Sequence, residues 1–337
     1  MNKQQMYFLL SGSNEKLSLA ELRALLETYN YSEDSELKCY SRICLARTSE
    51  ETLLAIIRRA GYITEAGILI GIDDPYSPSY EYIDELAKFN FKSIRSTVVR
   101  STVEPSISNR YVAFLRERLG LTKEYTKTNY LRIIFSEGLV FAGYPLAVIN
   151  KAELLKREPK NRPFFRSIAL PTRLSRALIN LSRVKEKQVI LDPFMGTGSI
   201  VLEAVAMGIR AIGVELDWEL VHGAVKNIKY YEAKNTIVIL GDSTTITYKN
   251  VDGIATDPPY GRAASTKGRE TLELYDLFLA RATESLKKRG YLVFMAPLSI
   301  IDHIYELLCR YSFIVRDEIY MYVHGGLTRV IFVAYKP

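Results

Sequence analysis

An apolar strand over residues 188–191 runs into Asp192-Pro193-Phe194-Met195-Gly196-Thr197-Gly198 and then into a helix over 199–207. No other stretch restricts the fold as much. Two glycines in three residues let the main chain turn sharply and approach a ligand closely. The elements that follow alternate: strand 211–215, helix 218–231, strand 236–240, strand 253–256, helix 273–286, strand 290–296 and helix 300–309. Strands separated by helices pair in parallel, so the expected architecture is an α/β doubly wound sheet with helices on both faces. Two long apolar strands at 313–323 and 328–335, meeting at Gly325-Gly326, close it with an antiparallel hairpin.

Ligands of an open parallel sheet bind beyond the carboxyl ends of its strands. Asp192, Glu215, Asp242 and Asp257 all fall at such ends. No Lys-Ser/Thr follows the glycine loop, which argues against a triphosphate, and the third glycine of a dinucleotide fingerprint is missing. Glu215 is suited to accept both hydroxyls of an adenosine ribose, against a competing role as an acid at a helix start. Asp242 suits the adenine amine or an N-cap, and Asp192 suits a methionine ammonium or a structural role. With Phe194, Gly196, Thr197, Gly198 and Asp257, these positions assemble S-adenosylmethionine better than any other common cofactor. The terminal hairpin agrees, giving a Rossmann-like, class I methyltransferase sheet.

Asp257-Pro258-Pro259-Tyr260, followed by Gly261, names the acceptor. A carboxylate and a proline-fixed carbonyl both accept hydrogen bonds from an exocyclic amine. The Tyr ring can stack on a base, and the prolines leave little ordering to do on binding. Asp257, Pro258, Pro259 and Tyr260 are therefore the predicted catalytic set for methyl transfer to a nucleobase nitrogen. No metal is required, and three scattered histidines and three cysteines have no metal-type spacing.

The net charge of +7 is unevenly distributed. Residues 1–87 carry 8 Lys/Arg against 14 Asp/Glu, whereas 88–132 carry 10 against 3 and 151–187 carry 11 against 3. Two basic segments beside a base-handling site point to a phosphate-tracking surface, with a solvated face as the plainer alternative. The order β-α-β-β-α-β over 6–71, with a helix from Ser18, suggests a ferredoxin-like unit, and 79–150 a second α+β unit. Residues 151–170 read as an irregular basic linker anchored by Phe164 and Phe165. Cys39, Cys44 and Cys309 read as small reduced core residues, which indicates the cytoplasm; no membrane span or signal peptide is expected.

The chain resembles the archaeal THUMP-domain tRNA guanosine N2-methyltransferases. The likeness lies in Arg162-Pro163-Phe164-Phe165-Arg166, Arg173-Leu174-Ser175-Arg176-Ala177-Leu178, the glycine loop, Asp257-Pro258-Pro259-Tyr260-Gly261 and Leu327-Thr328-Arg329. It implies a ferredoxin-like domain (1–72), a THUMP RNA-binding domain (73–150), a basic linker (151–170) and a methyltransferase domain (171–337). It also implies tRNA as partner and one or two methyl groups placed on the guanosine at nucleotide 10. A small activator subunit stays open. At Leu170-Pro171-Thr172-Arg173 the chain departs from the family, which carries an Asp before the Arg. A DNA amino-methyltransferase acting on adenine N6 or cytosine N4, and a non-catalytic RNA-binding THUMP protein, are the alternative readings.

Overall fold

The structure, a computed structural model, describes residues 3–29, 37–122, 126, 128–167, 169–259, 271–324 and 327–337. The chain forms two compact units, one of residues 1–18, 29–58 and 62–149, the other of 19–28, 59–61 and 150–337. Among the described residues no helix is long and apolar enough to cross a membrane.

The chain begins β1 (Gln4–Leu10), α1 (Glu15–Thr28), β2 (Lys38–Tyr40), β3 (Ile43–Thr48), α2 (Glu50–Arg59) and β4 (Ile63–Asp73). It continues α3 (Ile83–Ala87), β5 (Ser93–Val99), α4 (Pro105–Arg118), β6 (Tyr130–Ser136) and β7 (Leu139–Val148). The seven strands make one sheet in the order β2-β3-β1-β4-β7-β6-β5. The antiparallel set β2-β3-β1-β4 is the split β-α-β order of a ferredoxin-like unit. Among the described residues of this sheet only β5 and β6 pair in parallel, as the helical connection α4 requires. β4 pairs with β7 from Glu65 through Asp73, so the expected division between residues 72 and 73 falls inside one sheet.

Two sequence expectations are corrected in this region. Asn14, not Ser18, opens α1: its Oδ1 accepts from Leu17 N at 2.9 Å, while the Ser18 hydroxyl donates back to Asn14 O. Cys39 and Cys44 are joined in a disulfide, because the β2–β3 register sets them directly opposite each other; Cys309 is free and exposed.

The second unit comprises α5 (Lys151–Lys156), a 3-10 turn at Pro159–Asn161, α6 (Thr172–Leu181), β8 (Val189–Asp192), α7 (Ser199–Ala206), β9 (Arg210–Glu215) and α8 (Trp218–Tyr230). Then come β10 (Thr236–Leu240), β11 (Val251–Thr256), α9 (Thr271–Ser285), β12 (Leu286–Pro297), α10 (Ile301–Arg310), β13 (Ile314–His324) and β14 (Leu327–Tyr335). Its sheet runs β10-β9-β8-β11-β12-β14-β13, with β14 antiparallel to both neighbours. Gly325 and Gly326, the expected hairpin turn, lie outside the described residues. Helices cover both faces. A Cβ on Gly253 would lie 2.4 Å from Val184 Cγ2, just after α6. Its neighbour Ile254 belongs to the cluster that Phe278 of α9 and Leu307 of α10 complete on the opposite face.

Residues 151–170 are more ordered than their charge suggested. Asn150 caps α5, its Oδ1 accepting from Glu153 N. Arg157 and Arg176 each donate at 2.7 Å to the carboxylate of Glu203, which is 0 % exposed on α7. Arg162 is also buried, with Nη1 donating to Ser199 Oγ at 2.6 Å. Part of the second basic segment is thus internal, leaving Lys151, Lys156, Lys160, Arg166, Lys185 and Lys187 exposed. Of the two expected anchors only Phe164 is seated. Its ring lies where a Cβ on Gly223 of α8 would be 2.1 Å away, and its amide and carbonyl both bond to Asn227. Phe165 is 48 % exposed.

Candidate active site

From β8 the chain steps outward to β9 and β10, then returns to β11 on the other side of β8. Strand order reverses between β8 and β11, and the carboxyl edge at such a reversal is where open α/β sheets bind their ligands. The glycine loop bends over β9, with Met195 N donating to Val214 O and Gly198 N to Met195 O, each at 2.9 Å. Gly196 (φ 54°) and Gly198 (φ 86°) adopt left-handed backbone, which accounts for glycine at both positions. A Cβ on Gly196 would meet no heavy atom within 4 Å, so the loop's outer side is open.

Asp192 ends β8 and is 2 % exposed. Its Oδ1 accepts from the Thr256 hydroxyl at 2.7 Å and from Phe194 N at 3.3 Å. Burial pushes its carboxyl up to about 7; the two hydrogen bonds oppose that, and the nearby charges of Glu215 and Asp257 add to it. Burial thus favours the protonated form, and a cation placed beside it would favour the ionised one. Glu215 ends β9, and its carboxylate accepts from Gly196 N, Leu216 N and Asp217 N, all at 2.9 Å. It therefore ties the glycine loop to the start of α8. Asp242 follows β10 and forms an Asx turn, Oδ1 accepting from Thr244 N and Oγ1. Gly241 N donates to Glu215 O, which brings these two strand ends together.

The structure thus gathers Asp192, Gly196, Gly198, Glu215, Asp242 and Asp257 at one edge. Phe194 points elsewhere: its ring meets Phe278 edge-on at 5.4 Å and packs against the core cluster, so a ring contact with cofactor is not supported. Thr197 is buried, its carbonyl accepting from Asn227 Nδ2. Pro258 is buried and Pro259 half-buried directly after β11, while Tyr260 lies outside the described residues.

A family described as "RMKL-like, methyltransferase domain" matches residues 159–329, and a DNA methylase family matches 68–226, which stops short of Asp257. The tRNA (guanine(10)-N2)-dimethyltransferase of Methanothermobacter thermautotrophicus is 32% identical over 97% of this chain and 98% of its own length. This chain belongs to the tRNA (guanine(10)-N2)-dimethyltransferase family. Among solved structures, TrmN from Thermus thermophilus shares 18% identity over 99% of this chain and all of its own, at a TM-score of 0.59. SMU.472, a putative methyltransferase complexed with SAH, aligns over 100% of this chain and 99% of its own at 12% identity and a TM-score of 0.52. At those identities the likeness speaks for the fold.

Two further residues of this candidate site were given no role in the sequence reading, although Arg329 lies in one of the stretches that carry the family likeness. Thr256, fully buried, links the tips of β8 and β11 through its hydroxyl. Arg329, near the start of β14, donates through Nη1 to Asp257 Oδ2 at 3.2 Å. Because β14 runs antiparallel, its first residues lie at the carboxyl edge of the parallel strands, Arg329 opposite Pro297 of β12. A charged side chain entering an otherwise apolar strand was the available signal.

Proposed function

We infer that this chain transfers the methyl group of S-adenosylmethionine to the exocyclic N2 amine of guanosine 10 in tRNA, once and then again. The observation that carries the reading is Asp257, held beside two prolines at the tip of β11, next to the acidic tip of β8 and two strands from that of β9. The residues fit the donor. Asp192, buried and raised toward neutrality, gains a counter-charge from its ammonium. Glu215 and Asp242 serve the ribose and the adenine amine, and the open side of Gly196 admits its methionine chain. When bound, the donor supplies an electrophilic methyl group.

An aromatic amine is a weak nucleophile because its lone pair is delocalised into the ring. Asp257 and the Pro258 carbonyl accept its two hydrogens and draw that pair back toward nitrogen as the new bond forms. Alignment and acceptance of the developing positive charge supply most of the rate. Asp257 or water takes the proton. Tyr260 stacks on the extruded base. Residues 73–150 grip the tRNA as a THUMP domain, assisted by residues 1–72 in the cytoplasm, with or without a small activator subunit. The exposed Lys92, Arg110 and Arg118 supply phosphate contacts.

The test is incubation of the purified chain with tRNA and labelled donor, followed by mass mapping of the nucleosides. Label on N2 of guanosine 10 is the expected result; label confined to adenosine or cytidine, or to duplex DNA, contradicts it. Activity that appears only with a cell extract would add the subunit.

A further inference from the structure

Asp257 does not stand alone at the tip of β11. The guanidinium of Arg329 lies 3.2 Å from its Oδ2, with side-chain exposures of 21% for the arginine and 15% for the aspartate. An arginine stays protonated at any working pH, and a partly dehydrated ion pair favours the charged form of its partner. An ionised carboxylate is acceptor-only, whereas a protonated one also donates. This distinction matters at a base edge. Guanine presents two adjacent donors, N1–H and the N2 amine. Adenine sets the N1 lone pair beside its N6 amine, and cytosine sets N3 beside its N4 amine. A carboxylate that cannot donate is complementary to guanine and repels the ring lone pair of the other two.

We propose that Arg329 is the positioning residue that holds Asp257 as an oriented, acceptor-only carboxylate and so selects a base edge made of donors. The proposal rests on the reading that Asp257 binds the target amine. Arg329 needs no contact with the base: it acts through Asp257. Its place follows from topology, because an antiparallel last strand brings its first side chains back to the site edge. The ladder pairs of Arg329 with Pro297 and Met321 fix its backbone on both sides.

The experiment compares the full-length wild type with Arg329→Ala, Arg329→Lys and Asp257→Ala. Substrates are tRNA transcripts carrying either a guanosine or a compensated adenosine at nucleotide 10. For Arg329→Ala we expect kcat on the guanosine transcript to fall about 100-fold. KM for tRNA and Kd for the donor should stay within about 2-fold, the signature of an interaction made in the transition state. Millimolar guanidinium should restore about 10-fold of the loss, Arg329→Lys should fall in between, and the preference for guanosine over adenosine should narrow by at least about 10-fold. Unchanged kcat and selectivity in Arg329→Ala overturn the proposal. So does a loss shared by kcat, donor affinity and melting temperature that neither guanidinium nor lysine relieves, because that is a folding defect. Asp257→Ala separates the two levels. If it is inactive while Arg329→Ala works normally, only the role of Arg329 fails; if it keeps full activity, the base-binding reading fails with it.

Discussion

At the scale of single residues, the site is organised by where carboxylates end their strands. Asp192 gives the clearest pH signature. Its carboxyl is raised from its ordinary value to about 7 in the folded chain, so folding favours the protonated form. The stability this contributes is present at low pH and lost as pH rises through about 7. A bound ammonium reverses that loss. The gain in melting temperature on adding donor should therefore be larger at pH 8 than at pH 6, and Asp192→Asn should remove the difference. Thr256→Val deletes a hydrogen bond that opposes the effect of burial, so the midpoint of donor affinity against pH should move above that of the wild type. An equal thermal gain at both pH values would contradict the role given to Asp192. Tyr260→Ala should lower kcat/KM for tRNA while sparing donor affinity, measured by titration calorimetry, because base stacking is worth about 1–3 kcal/mol.

At the scale of elements, the period of the apolar residues carried most of the reading. Alternation placed the parallel strands and the closing hairpin, and the glycine loop marked where β8 hands over to α7. What escaped were pairings between residues far apart in the chain. Arg157 and Arg176 looked like surface charge because Glu203, which buries them, lies 46 and 27 positions away. Arg329 was separated from Asp257 by 72 positions. The short helix α5 was hidden by its charge; Asn150 was its only local cue. Cys39 and Cys44 were five residues apart, yet only the register of a three-residue strand sets them face to face. The Glu203 pairing has a measurable consequence. Glu203→Gln leaves two arginines inside without their counter-charge and should destabilise the unit by about 3–5 kcal/mol, read as a fall in melting temperature. A change within about 0.5 kcal/mol would mean that the arginines are satisfied without it.

At the scale of the whole molecule, the proposed function assigns base and donor to the strand tips and the phosphate backbone to the basic segments. Of those segments, Lys92, Arg110 and Arg118 are exposed, while several arginines between 151 and 187 support the fold from inside. Replacing Lys92, Arg110 and Arg118 with glutamate should weaken tRNA binding and flatten its salt dependence by about one unit of slope for each phosphate no longer neutralised. An unchanged slope would move the RNA path elsewhere. The function proposed for this chain turns on Asp257 at the tip of β11 receiving a guanine amine. The sharpest test is nucleoside mass analysis of position 10 after single turnover by the wild type and by Asp257→Ala, both saturated with donor. N2-methylguanosine is expected from the wild type, with formation at least about 100-fold slower in the variant. Equal rates from the two, or methyl groups found on another base, would contradict it.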